Sequence, residues 1–449
     1  MNRRRFIASA SAAAALATSL RGAGRKRPPR ILLRSSWQSV NIGDVDHTPG
    51  ALSLCDKYFP EAEITLWPRS LGHGARERMT KSFPRLKIAA GHVGNDGQPT
   101  SPALAKAWNE ADLDLSGSGS GFPSSDTAAA FGRSTGKPVG VFAVSTDPMD
   151  GFRPGQEPEG GTLRELRAKA LALPPTHLSA ELRFVIDRAA FFFTRDTLSR
   201  DSLKAQGVKT PILEFGPDAQ LGMHLRDDPK GSAYLKAKGL EEGKFIGVIP
   251  RLRYTPSHKF EKRAPAPSDA IKDAINARTV EQDHVKLRDL MIASVRKTGN
   301  KVLACSEMTD EIELSKEVLV DPLPADVKKN VVWRDPSWLP DEAASVYSQA
   351  LALVRIECHA PLIALHDGTP TIHIRNPTDT CKGQMFRDIG MDDWFFEIDE
   401  TSGAELWSRV EAIHRDPAKA RAKVKTIFAG IEQRQQHMIA TVRTAVTRE

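Results

Sequence analysis

Cysteine is scarce in this sequence: 449 residues contain only four, and no two of them stand in a Cys-x-x-Cys pair. A structural zinc site usually draws its ligands from such close pairs, so the spacing argues against one. Two interpretations remain open, four buried thiols or one disulfide in an exported protein. We favour the thiols, because free cysteine is among the most buried residue types. The four are Cys55, Cys305, Cys358 and Cys381.

Acidic residues are absent from the first 27 positions, which carry seven of the 63 lysines and arginines. The remaining 56 basic residues are balanced by 56 acidic ones, so the net charge of +7 belongs to the N-terminus alone. A neutral body lacks the electrostatic footprint of a nucleic-acid-binding protein. Long apolar runs are missing beyond residue 20, which predicts no stable membrane span.

The N-terminus has the pattern of a twin-arginine export signal. Arg3 and Arg4 precede a weakly apolar stretch, rich in alanine and serine, that runs to Leu20. We therefore expect the twin-arginine export machinery as a partner and a periplasmic or cell-envelope location. The alternative is a disordered basic arm on a cytoplasmic protein.

Beyond the signal, short apolar runs alternate with helical patterns, which is typical of parallel α/β sheets. We predict two Rossmann-like, doubly wound domains that face a cleft, followed by a long C-terminal helix. The predicted boundary lies in the polar stretch 222–243. The predicted parts are a signal and basic linker at 1–27, an N-terminal domain at 28–222, a C-terminal domain at 243–415 and the helix at 416–449.

Residues 191–221 give the clearest strand–helix–strand unit. The apolar run Phe191–Thr194 predicts a strand, Gly207 predicts the end of the following helix, and Pro211–Phe215 predicts the next strand. Arg195 stands at the carboxyl end of the first strand, beside a helix N-terminus. An open α/β sheet holds anions at such a position, so we expect Arg195 in the site.

Two loops of the first domain are further candidates. Asn41, Gly43 and Asp44 follow the first strand, where they could offer an amide, a close backbone approach and a carboxylate to sugar hydroxyls; an ordinary turn with a helix cap is the alternative. Gly119 lies in a Ser-Gly repeat after another strand. Its backbone could wrap an anion, and a flexible turn without a ligand is equally compatible with the pattern.

The second domain contributes basic residues at strand ends. Arg251 and Arg253 follow the run Phe245–Pro250, where they are placed to meet a phosphate or carboxylate at the cleft, or simply to be solvated. His359 follows the run Leu351–Ile356 at a helix start, and Lys382 follows a later strand, where it could pair with phosphate or cap a loop.

The order of these motifs resembles the polysaccharide pyruvyl transferase family. The similarity rests on the Asn-x-Gly-Asp loop, on Arg195-Asp196-x-x-Ser199, and on the block from Arg355 to Ala364 that contains His359. It implies a GT-B-like architecture and transfer of a pyruvyl group from phosphoenolpyruvate to a hydroxyl of a cell-surface polysaccharide. Arginines would clamp the donor, His359 would protonate its methylene carbon and Asp44 would act as base, with no cofactor and no metal.

One position departs from the family pattern. Glu357 stands two residues before His359, where the family usually has arginine. A carboxylate there would repel an anionic donor by roughly 4 kcal/mol at about 4 Å and an effective dielectric of about 20. Arg355, on the same face if the strand continues, could supply the missing cation. Two other functions therefore stay open: a nucleotide-sugar glycosyltransferase of GT-B type, and a non-catalytic exported glycan-binding protein.

Overall fold

The computed structural model describes residues 27–35, 42–72, 74–149, 161–379 and 381–447, with the backbone alone at 42–44 and 260. The first sheet has strand order β3-β2-β1-β4-β6-β7-β8, with β5 paired to β6, and all its pairs are parallel. Its strands are β1 Arg30–Ser35, β2 Glu63–Pro68, β3 Lys87–Ile88, β4 Leu113–Ser116, β5 Gly119–Ser120, β6 Val139–Ser145, β7 Phe191–Thr194 and β8 Leu213–Phe215.

The helices of this domain follow the strands in alternation. In α7, Asp196 caps the N-terminus by accepting a 2.6 Å hydrogen bond from the Ser199 amide. A short 3-10 turn, Ala219–Gly222, follows β8. The helices are α1 Ile42–Tyr58, α2 Ala75–Ser82, α3 Pro102–Glu110, α4 Ser125–Thr135, α5 Leu163–Leu171, α6 Ala180–Arg188 and α7 Thr197–Ala205.

The second sheet has six parallel strands in the order β11-β10-β9-β12-β13-β14. The apolar runs that predicted its strands are buried; every residue of β9, β12 and β13 is inaccessible to solvent, as in a sheet covered on both faces. The strands are β9 Phe245–Ile249, β10 Lys301–Ala304, β11 Val331–Trp333, β12 Ala352–Ile356, β13 Thr371–Arg375 and β14 Phe395–Glu397.

The helices of the second domain are more unequal in length. Short helical turns occur at Lys316–Val320, Pro377–Asp379, Asp392–Trp394 and Ile398–Glu400. The helices are α8 Asp228–Lys238, α9 Ser257–Phe260, α10 Pro267–Thr298, α11 Glu311–Ser315, α12 Ala325–Lys328, α13 Pro340–Tyr347, α14 His359–His366, α15 Gln384–Asp388, α16 Gly403–Arg415 and α17 Pro417–Thr447.

The C-terminal helix α17 joins the two domains. Its first half buries Val424 and Ile431 in the core of the second domain. Its second half buries Met438 and Val442 in the core beneath β1 and β7 of the first domain. The helix therefore contributes apolar side chains to both cores, which ties the last segment of the chain to the first domain.

Carboxylates of the second domain also bind helix N-termini of the first. Asp388 accepts hydrogen bonds from the Thr197 amide (2.6 Å) and hydroxyl (2.7 Å) at the start of α7. Glu397 accepts a 2.7 Å hydrogen bond from the Leu163 amide at the start of α5 and pairs with Arg375 at 2.6 Å. Because helix N-termini carry partial positive charge, these contacts stabilise the approach of the two domains.

Both predicted sheets and the long C-terminal helix are confirmed, with strand bounds that differ by a few residues. Two helices begin earlier than the sequence pattern predicts. The pattern predicts a helix from Pro49 to Phe59 and another over 283–298, whereas α1 begins at Ile42 and α10 begins at Pro267. The polar stretch 222–243 contains α8, which packs on α13. All four cysteines are buried free thiols, as expected. No helix in the described part of the chain is long and apolar enough to cross a membrane.

Candidate functional site

The strand orders locate a crevice in each domain. Strand order reverses between β1 and β4 in the first sheet and between β9 and β12 in the second. Loops leaving the carboxyl ends of adjacent strands diverge at such points, which opens the crevice where doubly wound sheets bind ligands. The predicted loops after β1, β4, β9 and β12 all lie at these two reversals.

A buried ionic network occupies the first crevice. The guanidinium of Arg195 donates to Asp218 Oδ2 (2.7 Å) and to the hydroxyl of Ser145 (2.9 Å), and it is 1% exposed. Ser145 lies just beyond a β-bulge in β6, where Ala143 has φ 59. Bulges re-aim the side chains that follow them, and here the bulge places Ser145 between Arg195 and Asp196.

His47, on α1, completes this network. Its Nδ1 donates to Asp218 Oδ1 at 3.0 Å, and Asp218 also accepts from the Ser118 hydroxyl at 3.1 Å. Burial alone would raise the pKa of Asp218, but His47 and Arg195 together hold that pKa well below its usual range. Asp218 is therefore an ionised carboxylate that fixes which nitrogen of His47 carries the proton.

His359 brings the second domain into contact with this network. It begins α14, and its Nδ1 donates to Oε1 of Gln220, in the turn after β8, at 2.6 Å. The rings of His47 and His359 meet edge to face, with centroids 5.5 Å apart. Two histidines from opposite domains thus lie side by side between the two crevices.

Glu357 lies beside His359 and is also buried. Its carboxylate accepts a 3.2 Å hydrogen bond from the His359 amide and lies 3.6 Å from His359 Nε2, 3.5 Å from Lys382 Nζ and 3.8 Å from a guanidinium nitrogen of Arg355. Burial would raise the pKa of Glu357, but His359, Arg251 and Lys382 outweigh it and hold that pKa well below its usual range.

Arg355 is enclosed by acids rather than open to the cleft. β12 ends at Ile356, and Arg355 pairs with Glu307 (2.9 Å) and Glu311 (3.3 Å) as well as with Glu357. Burial raises the pKa of Glu307, and the guanidinium of Arg355 opposes that shift. Arg355, which we expected to replace the family's arginine, therefore already has its charge offset by neighbouring carboxylates.

The structure gathers most of the predicted site residues and separates others. One point of the second crevice is surrounded by His359, Glu357, Arg355, Arg251 and Lys382. Arg195 is connected to this group through the ionic network of the first crevice. Arg251 and Lys382 are the partly exposed cations of this group, with side chains 14% and 21% accessible.

The other predicted residues lie away from this group or are not fully described by the structure. Arg253 turns away from this group and pairs with Asp283 at 2.8 Å and with Asp399 at 2.5 Å. Gly119 lies in β5, paired to β6. Asn41 lies outside the described residues, and at Gly43 and Asp44 only the backbone is described, so the expected roles of these three residues remain predictions.

Sequence reasoning missed His47, Asp218, Ser118 and Gln220. A weak signal existed, because Asp218 follows β8 and His47 follows the Asn-x-Gly-Asp loop by a few positions. The pair of His47 and Asp218 joins residues that are 171 positions apart in the sequence, and no local pattern reveals it.

Glu357, Cys358 and His359 are the group within the described residues whose ligand atoms could hold a metal, since those atoms lie within 4.8 Å of one another. The surrounding charges oppose this use. Lys382 and Arg355 flank the same point, and burial raises the pKa of the Cys358 thiol well above its usual value, which disfavours the thiolate that metals bind. The arrangement suits an anion or a polar ligand better than a cation.

Comparison with known proteins gives the fold and leaves the family open. No family model matches the sequence, and no curated protein matches it. Among solved structures, the chain is similar to Anabaena HepE in complex with UDP and glucose (TM-score 0.51, 12% identity, covering 93% of this chain and 100% of that one). It is also similar to a putative UDP-N-acetylglucosamine 2-epimerase of Listeria monocytogenes (0.57, 12%, 94% and 97%).

A third similar structure is the UDP-GlcNAc 2-epimerase of Neisseria meningitidis bound to UDP-GlcNAc (TM-score 0.50, 10% identity, covering 92% of this chain and 100% of that one). At such identities the likeness concerns the fold alone. Two parallel α/β domains that face a cleft, closed by a long C-terminal helix, have the GT-B architecture.

Proposed function

We propose that this protein is a GT-B-type transferase that moves a glycosyl group from a nucleotide-sugar donor to a hydroxyl acceptor. The observation that carries the proposal is the His47–Asp218 pair, with Nδ1 and Oδ1 3.0 Å apart, at the contact between the domains. The His47 ring is fully buried there, so the base role requires the domains to part before an acceptor reaches Nε2. A histidine oriented by a carboxylate is a suitable general base for a hydroxyl group.

Asp218 accepts the Nδ1 proton, so Nε2 of a neutral His47 is the atom that takes the acceptor's proton. The acceptor oxygen then forms a bond to the anomeric carbon as the bond from that carbon to the donor phosphate breaks. Asp218 stabilises the imidazolium that results, since its charge stays in place throughout. The nucleoside diphosphate leaves with the electron pair of the broken bond.

The charge that develops on the departing diphosphate needs cations that a ligand can reach. Arg251 and Lys382 meet this requirement, because their side chains are partly exposed at the reversal between β9 and β12. The fold supports this assignment further, since two similar structures contain UDP or UDP-GlcNAc in a chain of the same architecture.

Pyruvyl transfer from phosphoenolpyruvate is a second candidate. It is favoured by the convergence of His359 with Arg251 and Lys382, as the family resemblance requires. In this reaction His359 would protonate the methylene carbon, sugar hydroxyls would form bonds to the adjacent carbon, and phosphate would leave with the electron pair of its broken C–O bond. Glu357 stands against it, because the donor's carboxylate would approach a buried carboxylate.

Calorimetry with UDP, UDP-glucose and phosphoenolpyruvate, followed by assays of donor consumption, separates the two functions. We expect UDP to bind more tightly than phosphoenolpyruvate. His47→Gln should lower turnover about 10²–10⁴-fold while UDP affinity stays within about twofold. The control is His437→Gln, an exposed histidine on α17. Tight phosphoenolpyruvate binding without UDP binding, or full turnover in His47→Gln, would overturn the proposal.

A further inference from the structure

Glu357 has an unusual backbone. Its φ is +101°, a value that side chains other than glycine rarely adopt. Two hydrogen bonds impose it: the Glu357 amide donates to the Ile374 carbonyl (3.2 Å), and the Glu357 carbonyl accepts from His373 Nδ1 (2.8 Å). The His373 ring is itself stacked on Phe386, with centroids 4.2 Å apart. Strain that the surroundings maintain is typical of functional positions.

The strained backbone directs the carboxylate into a group of basic side chains, with which it forms several long ion pairs rather than one short one. The distances to Lys382, His359 and Arg355 are 3.5–3.8 Å, longer than the 3.2 Å hydrogen bond to the His359 amide. Lys382 and Arg251 remain partly exposed on the cleft side. Glu357 therefore offsets the charge of the cations while leaving their outer faces available to a ligand.

We propose that Glu357 is a specificity-determining residue: it takes the place of a ligand's anionic group among these cations, and so excludes donors whose reacting end carries a carboxylate. The inference rests on the proposed function, in which the reacting end of the donor is an uncharged sugar. The phosphates of such a donor meet Arg251 and Lys382, whose side chains are partly exposed, while Glu357 stays buried behind them.

The size of the exclusion follows from Coulomb's law. A second carboxylate about 4 Å from Glu357, at an effective dielectric of about 20, is disfavoured by roughly a thousandfold in affinity. Screening and partial solvation reduce this factor, so we expect removal of the charge to raise the affinity for phosphoenolpyruvate at least tenfold.

Two variants test whether Glu357 excludes a donor carboxylate, and they differ in how they affect the backbone. Glu357→Gln removes the charge and keeps the shape. Glu357→Gly removes the charge and relieves the positive φ, so it should fold even if the first variant does not. The control is Glu400→Gln, which makes the same charge change at an exposed position of the second domain.

Calorimetry with phosphoenolpyruvate, inorganic phosphate and UDP gives the outcome. We expect weak, millimolar phosphoenolpyruvate binding by the wild type and by Glu400→Gln, and at least tenfold tighter binding by both Glu357 variants, with UDP affinity changed less. Unchanged phosphoenolpyruvate affinity in the Glu357 variants, tight binding by the wild type, or failure of both variants to fold would overturn the inference. Any of these results leaves the proposed function standing if His47 still governs turnover of the nucleotide sugar.

Discussion

Replacing Arg195 with alanine should destabilise the first domain strongly. The position of Arg195 at the end of β7, taken alone, predicts that the variant only weakens anion binding, by about 1.5–3 kcal/mol, and leaves the fold intact. The structure leads to a different expectation, because Arg195 is 1% exposed and its 2.7 Å ion pair with Asp218 is fully buried. Its removal leaves a buried carboxylate without its guanidinium.

The cost of breaking such a pair is about 3–5 kcal/mol. Asp218 keeps His47 at 3.0 Å and the Gln220 amide at 3.0 Å, so we expect the lower part of this range. That is still a large fraction of the roughly 5–15 kcal/mol that stabilises a typical domain. The double variant Arg195→Ala, Asp218→Asn should recover part of the loss, since it leaves no uncompensated charge.

Urea unfolding of the wild type, the two single variants and the double variant gives the coupling free energy, and hydrogen exchange of β6 and β7 shows whether the first domain is the part that opens. The folded-state pKa of Asp218 is depressed, so its contribution is present above about pH 4 and is lost as the pH falls through the folded value. A free energy of unfolding for Arg195→Ala within about 0.5 kcal/mol of the wild-type value would refute the reasoning, because typical couplings between paired residues are larger.

Three further outcomes are expected. Burial raises the pKa of Asp114 to about 7, so its contribution to folding stability should rise as the pH falls from about 7 to about 4, as should that of Asp46, whose pKa burial also raises to about 7. Asp114→Asn should therefore reduce this pH dependence and stabilise the protein at pH 8 by about 2–4 kcal/mol in urea unfolding. Asp388→Asn should weaken the contact with Thr197 by about 1–3 kcal/mol, seen as faster hydrogen exchange at the start of α7; unchanged exchange would argue against a role in domain approach. Changing both Arg3 and Arg4 to lysine, outside the described residues, should leave the protein in the cytoplasm with an uncut signal, and a wild-type protein that is cytoplasmic and begins at Met1 would contradict the export hypothesis.

The sequence was sufficient for the sheets because a buried parallel strand is a local pattern: β7 begins with three phenylalanines, and it ends just before a helix cap. The same holds for His359, which could be singled out by its place after a strand. The start of α10 was predicted too late because its first two turns contain few apolar side chains, so they lack the apolar periodicity that marks a helix.

Partners in the site could not be predicted in the same way. Nothing near Arg195 in the chain indicates that Asp218 neutralises it, and nothing near Arg355 indicates that Glu307 and Glu311 enclose it. The backbone of Glu357 also leaves the strand geometry on which the expected facing of Arg355 depended. Such pairings arise from tertiary packing, and only the assembled domains define them.

The path of α17 constrains the order in which the protein matures during synthesis. Met438 and Val442 fill the core beneath β1 and β7, yet they leave the ribosome only after the entire second domain has done so. Although N-terminal domains generally fold first as the chain emerges, this one must wait with an apolar gap under its sheet.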